Sequence, residues 1–420
     1  MSPRVPGRDS PVWVLVGTGV AGVATYVLLV AVGRALGTVR YGDFSIFWTF
    51  VVVVSIGAFL PVEQLVARQV ARGAQTVRRL LTAGVRAAGV VGAVVLALVA
   101  VGVALRPATG ALTTACSVVV VAAFAVQFAG RGVLAGRRDL RGYAVVLAVD
   151  TLGRALAAAV LAAAGVRSVG PYLVAVTASC AASAVTAWFL ARRSCEVVAA
   201  PAGPQHGGRG LGRDLVWLVV AGTCMQLLFN SPVPAAAAAD AFPGVLLAVL
   251  SIVRVPVFVF QGAQAGYVAR IAGLALRGPA AELRRLLLVV GGAAVAVGAA
   301  TVAGAVLVGP WAVRTAFGPE YDVTRTLVVL AAAGVACYLC AAVLNDVAVA
   351  LGAHRAIAVA WPLAVAVGVT SYLLASDPLR AVTLPLTLGG ATAALVLGPV
   401  VLARVRHAPR PVTQREKHRA

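Results

Sequence analysis

Arg254 stands in the run Ser251-Ile252-Val253-Arg254-Val255-Pro256, with no acid one helical turn to either side. A guanidinium is planar, always charged and shaped for two-point contact with phosphate or carboxylate, so a fixed Arg in an apolar run suits anion binding. Pro256 removes a backbone donor beside it and favours a kink. Gln261 lies seven residues on, at nearly the same angular position on a helix, and Gln264 continues the polar content. Asn230 sits with Ser231, Pro232 and Pro234 in a second apolar run, the pattern of a broken helix whose backbone groups border a ligand path. Asp150 and Arg154 are four residues apart and share a helical face. That pair has two readings: a self-neutralising brace, or a second cationic contribution to the same anion site.

Other chemistry is poorly served. The six cysteines are scattered, and the one C-x-x-C, Cys337 with Cys340, lies in an apolar run without a second pair or a nearby His. The four histidines, His206, His354, His407 and His418, fall in loops or the tail, so no metal site and no Ser/His/Asp constellation is expected. Gly17-Thr18-Gly19-Val20-Ala21-Gly22 spells G-x-G-x-x-G after an apolar pentapeptide, with Asp43 downstream. A dinucleotide site requires that motif in an alternating α/β chain. Here the glycines sit inside an unbroken apolar run, where small residues let membrane helices approach closely. No cofactor is expected.

The elements that must position these residues are membrane helices. Hydrophobic residues make up 61% of the 420 and charged residues 12%, far from the roughly 45–50% and about 25% of soluble domains. Spans of about 20 apolar residues are predicted at 12–33, 43–62, 84–105, 110–130, 142–164, 169–190, 214–236, 243–266, 286–309, 327–349, 355–375 and 382–403. Arg254 then lies about 16 Å of helical rise into the eighth span, near mid-depth, and Arg154 is near mid-depth in the fifth. Asn345 and Asp346 fall a few residues from the end of the tenth and are read as hydrated interfacial caps.

Basic residues collect in alternate gaps. With the N-terminus inside, 26 of the 35 Lys and Arg face the cytoplasm, Arg131 among them, and seven face outward. The excess of basic residues in cytoplasmic loops orients the chain with both termini in the cytoplasm. The net charge of +21 is thereby spent on topology and on anionic head groups of membrane lipids, and nucleic acid is not expected as a partner. The first span is too long and too weakly punctuated for a cleaved signal peptide.

The spans divide into two lobes of six: residues 1–190, then a Pro- and Gly-rich cytoplasmic linker at 191–213, a second lobe at 214–405, and a basic tail at 406–420. Gln64-Leu65-Val66-Ala67-Arg68 with Arg78-Arg79-Leu80-Leu81 is echoed by Gln264, Tyr267-Val268-Ala269-Arg270 and Arg284-Arg285-Leu286-Leu287, and Leu134/Arg138 by Leu351/Arg355. Two six-helix halves of like orientation are a parallel repeat. The fold class is therefore an all-α polytopic membrane protein of about twelve transmembrane helices in two lobes. The gaps leave no room for a soluble catalytic domain.

Five stretches carry a family resemblance: Gly33-Arg34-Ala35-Leu36-Gly37 with Tyr41-Gly42-Asp43-Phe44-Ser45; Pro61-Val62-Glu63-Gln64 through Arg68; Arg131 to Tyr143; Arg254-Val255-Pro256-Val257-Phe258-Val259-Phe260-Gln261; and Phe317-Gly318-Pro319-Glu320-Tyr321. In this order they resemble the polysaccharide-biosynthesis, O-antigen-type flippases of the multidrug/oligosaccharidyl-lipid/polysaccharide (MOP) exporter superfamily. The resemblance implies a non-enzymatic, MATE-like transporter of a bacterial plasma membrane, opening a central cavity alternately to either side. It implies a polyprenyl-pyrophosphate-linked glycan as cargo and polysaccharide assembly proteins as partners. Arg254 and Arg154 would hold the pyrophosphate, with Asp150, Gln261 and Asn230 nearby. A cation-coupled multidrug antiporter of the same superfamily and an integral-membrane glycan polymerase or transferase are the alternatives. The first would rely on deep acids such as Asp150, and the second on an interfacial catalytic loop that the sequence lacks.

Overall fold

The computed structural model describes residues 7–10, 12–71, 85, 86, 89, 92, 93, 110–194, 209–239, 241–277 and 279–406. Most of the third predicted span, most of the 191–213 linker and the tail beyond 406 lie outside the described residues, as does the side chain of Gln261. All other predicted spans fall on helices, and no strand occurs among the described residues. Among the described residues, eight helical stretches are long and apolar enough to cross a membrane, one of them the 60-residue Val12–Ala71, and Val219–Asn230 and Pro243–Val253 are shorter apolar helices. In hydrocarbon every backbone N–H and C=O must be satisfied within its own segment, and for an Ala/Val/Leu-rich chain the α-helix does this. Hydroxyls follow suit: Thr177, Ser251 and Thr301 each donate to the carbonyl four residues back.

The chain clusters into two compact units. The first is Met1–Gln226 with Phe242–Gly244. It begins with α1 (Val12–Val52), broken at Gly37 where φ reaches 69°. The turns widen to a π-helix over Val53–Phe59 before α2 (Leu60–Ala71). Three further helices follow: α3 (Ala111–Gly136), α4 (Leu140–Ala163) and α5 (Val169–Ser194). Asp139 caps α4 by accepting from the Gly142 N–H at 3.0 Å. Helix α3 packs on α5 and α2, and α4 packs on α1 and α5.

Gly132 and Gly136 set the closest of these approaches. A Cβ at Gly132 would stand 2.7 Å from the Glu63 carbonyl oxygen, and one at Gly136 would stand 2.6 Å from that of Ala67. The two glycines form the small-xxx-small seam through which α2 and α3 meet backbone to backbone.

The second unit is Leu227–Ala241 with Val245–Ala420. Helix α6 (Arg209–Asn230) ends at Asn230, and a short α7 (Pro232–Ala238) follows one residue later. The predicted eighth span is three pieces, α8 (Pro243–Val253), α9 (Val255–Gly262) and α10 (Gln264–Arg277). Then come α11 (Ala280–Phe317), α12 (Arg325–Ala350), α13 (His354–Leu374) and α14 (Pro378–Arg406). Helix α14 packs on α12 and α13, and α10 packs on α12. These pairings reproduce α5 on α3 and α4, and α2 on α3, in the first unit, so the internal repeat is present in the packing.

Gly132→Ala together with Gly136→Ala is expected to force α2 from α3 and destabilise the protein by about 1–3 kcal/mol. A fall in thermal midpoint of the detergent-solubilised protein checks this; an unchanged midpoint contradicts the seam.

Candidate functional site

Two buried clusters lie in the second unit and two in the first. Arg254 occupies the junction between α8 and α9 and is 6% exposed. The helical ladder runs through the junction, with Arg254 N–H to the Leu250 carbonyl at 3.1 Å and Phe258 N–H to the Arg254 carbonyl at 3.0 Å. The helix is therefore not unwound beside Pro256, where a kink is expected from sequence.

The second break supplies its partners. Pro232 and Pro234 lack the N–H groups that would reach the Leu228 and Asn230 carbonyls, and α6 gives way to the short α7 there, with Phe229 and Asn230 as its last residues. The Arg254 guanidinium donates through Nη2 to the Phe229 carbonyl and through Nη1 to Asn230 Oδ1 at 3.2 Å. Its Cζ lies 3.9 Å from the Phe229 ring centroid, a cation–π contact. That ring stacks on Tyr338 at 4.2 Å, and Tyr338 meets Trp361 at 5.9 Å. Trp361 Nε1 in turn donates to Asn345 Oδ1 at 2.9 Å. Arg254 and Asn230, 24 residues apart in sequence, are thus brought together as one group. A fixed guanidinium of this kind can hold an anion in a low-dielectric interior without reorganising to do so.

Asp346 forms the other cluster of this unit. It is 7% exposed and accepts from Gln264 Nε2 at 2.7 Å and from the Tyr267 hydroxyl at 2.5 Å. Asn345 and Asp346 lie within α12, short of its end at Ala350. They are interhelical hydrogen-bonding groups rather than the hydrated caps expected from sequence, because Gln264, Tyr267 and Trp361 from other helices pack over them.

In the first unit Asp150 and Arg154 do pair, Oδ1 to Nη1 at 3.6 Å, both nearly fully buried. Arg154 Cζ lies 5.0 Å from the Trp48 ring centroid, and Cys180 Sγ donates to Asp150 at 3.7 Å. The remaining cluster was not anticipated. Arg131, read from sequence as a loop residue, is buried inside α3 and bridges to Glu63 Oε2 at 3.1 Å. Arg131 Nη2 also donates to the Tyr143 oxygen at 2.6 Å, and the Tyr143 hydroxyl donates to Glu63 Oε1 at 2.9 Å. The Phe128 and Tyr143 rings cover the guanidinium at 4.7 and 4.9 Å. The signal for it was Glu63, an acid amid Val62, Leu65 and Val66, since a charge in such a run needs a partner. Three of the four clusters contain a carboxylate and three contain an arginine, and no group of three or more His, Cys, Asp or Glu able to hold a metal occurs among the described residues.

No protein-family profile matches the chain. Among curated proteins it is similar to the uncharacterized protein Rv1510 of Mycobacterium tuberculosis H37Rv and its counterpart in strain CDC 1551, each at 28% identity over 94% of this chain and 92% of theirs. Among solved structures it is similar to a multidrug resistance MATE family transporter of the MOP superfamily. The inward-facing form matches at a TM-score of 0.69 and 13% identity, over 91% of this chain and 94% of that one. The outward-facing form matches at a TM-score of 0.64 and 14% identity, over 95% of each chain. A MOP superfamily transporter from Pyrococcus furiosus matches at 0.60 and 14%, over 94% and 95%. The chain has the two-lobe MATE fold.

Removing one member of the Glu63–Arg131 pair leaves a buried charge uncompensated, at a cost of about 3–5 kcal/mol, whereas removing both relieves it. Arg131→Gln is therefore expected to lower the thermal midpoint more than the double variant Glu63→Gln/Arg131→Gln. Additive losses in this cycle contradict the pairing.

Proposed function

We propose that this chain is a multi-pass transporter that flips a polyprenyl-pyrophosphate-linked oligosaccharide or polysaccharide precursor across a bacterial plasma membrane. In this reading both termini are cytoplasmic, the two lobes open alternately to either side, and polysaccharide assembly proteins use what is delivered. The observation that carries it is Arg254, a buried guanidinium held at the junction of α8 and α9 by the Phe229 carbonyl, Asn230 and the Phe229 ring.

The physical problem of flipping such a lipid is its head. The polyprenyl chain stays in hydrocarbon, but a pyrophosphate must leave water, at a desolvation cost that a pre-oriented guanidinium offsets. Arg254 binds the head group, Asn230 holds Arg254 in register, and Gln261, seven residues on in sequence, is the further donor of this reading. Arg154, tethered by Asp150 and Trp48, adds positive charge that Asp150 moderates. Covalent chemistry has no part in the cycle. The binding pocket of the P. furiosus transporter has a reverse polarity that suggests a different function, in keeping with pocket polarity varying on this fold.

A second reading is a cation-coupled multidrug antiporter. It is favoured by the multidrug resistance transporters of the same fold and by the buried carboxylates Glu63, Asp150 and Asp346. Dye efflux from cells driven by a proton or sodium gradient, and lost in Asp150→Asn, would establish it in place of the flippase.

In reconstituted vesicles the wild-type protein is expected to translocate a labelled polyprenyl-pyrophosphate glycan. Arg254→Gln, at equal protein level and equal thermal midpoint, is expected to slow translocation at least about tenfold, the scale of one charge-assisted hydrogen bond. Translocation at the wild-type rate overturns the proposed role of Arg254.

A further inference from the structure

Helix α11 ends in a polar recess that the transport reading does not use. Leu307, Pro310, Trp311, Arg314 and Thr315 line one side and Pro319, Asp322 and Arg325 the other, enclosing about 540 Å³. Leu307 and Trp311 are 76% and 67% exposed. Neither Arg314 nor Arg325 forms an ion pair with Asp322 within 4.0 Å, so both guanidinia remain available to a third group.

The level of this recess follows from helix length. From Arg285 to Arg314 the sequence of α11 is free of charge, and 29 residues of rise make about 43 Å. That matches the roughly 40–45 Å of a bilayer measured through its head-group regions. Arg314 therefore stands at head-group depth, and Trp311 one turn below it is an interfacial aromatic of the usual kind. Below them Leu288, Val289, Val295, Val306 and Leu307 form an exposed apolar surface running toward the other end of the helix.

We propose that this recess binds an anionic phospholipid whose head group is a monoanionic phosphodiester, such as phosphatidylglycerol. Arg314 and Arg325 hold the phosphate by charge-assisted hydrogen bonds. Asp322 reduces the net charge of the recess to a single positive unit, which suits a monoanion better than a phosphate dianion, and it can accept from a head-group hydroxyl. One acyl chain lies along Trp311 and Leu307. The site is separate from Arg254 and does not depend on the cargo.

The test is photo-cross-linking of the full-length protein, in vesicles, by phosphatidylglycerol carrying a diazirine on one acyl chain, with labelled peptides mapped. Labelling of the 300–325 segment is expected, reduced about tenfold in the Arg314→Gln/Arg325→Gln double variant while other peptides label as before. Both arginines are on the surface, and Arg314→Lys/Arg325→Lys, which keeps the charges, is expected to retain most of the labelling. Wild-type labelling of this segment in the Gln double variant overturns the proposal. So does equal labelling by a phosphatidylcholine probe. Displacement of the lipid probe by millimolar glycerol phosphate shows a site for a soluble phosphate and overturns the lipid assignment.

Discussion

A charge inside a membrane helix loses its hydration, and the protein must replace that hydration from its own groups before anything else can be built. The buried ionisable residues of this chain show how it is done. Arg131 is matched by an acid, a phenol and two aromatic faces, and Arg154 by Asp150 and the Trp48 ring. Arg254 is met by a helix-end carbonyl, a side-chain amide and a ring. The positions of helix breaks, glycine seams and aromatic stacks follow from these needs.

The two kinds of replacement have different consequences. At Arg131 the compensating group is a carboxylate across the Gly132–Gly136 seam, so α2 and α3 are tied together by a neutral pair. At Arg254 the groups described are dipoles and a quadrupole. They fix the orientation of the guanidinium before any ligand arrives, the condition for pre-organised electrostatic binding. The end of α6 beside Ser231 presents Phe229 and Asn230 to Arg254, the first through its carbonyl and ring and the second through its side-chain amide. Asp346, which accepts from Gln264 and Tyr267, is likewise held by neutral hydrogen-bond donors.

Hydropathy alone was enough to place most of the helices, because a bilayer forces each segment to satisfy its own backbone and so makes the signal local. The repeat was faintly legible in Gln64 to Arg68 against Gln264 to Arg270, and the packing of α2 on α3 and of α10 on α12 supplies the physical counterpart. The Asp150–Arg154 pair was legible because both partners share one helix. The contact of Arg254 with Asn230 was not, since it depends on two helix breaks meeting in space. The Glu63–Arg131–Tyr143 cluster was hidden for another reason: Arg131 lies one and a half turns from a helix end, where counting charges by loop makes it a topological residue. Asp346 was placed correctly near the end of its helix but read as hydrated, because its partners Gln264 and Tyr267 lie 82 and 79 residues away in sequence, on another helix.

The central claim is that Arg254 is an anion-holding group, and the affinity of the solubilised protein for a lipid ligand tests it most directly. Binding of a polyprenyl pyrophosphate should be compared with that of the uncharged polyprenol of equal length, in the wild-type protein and in Arg254→Gln. The pyrophosphate is expected to bind at least about tenfold tighter in the wild type, a difference of about 1.4 kcal/mol, and no tighter than the alcohol in the variant. Equal affinities in the wild-type protein, or a preference for pyrophosphate that survives in Arg254→Gln, would contradict it.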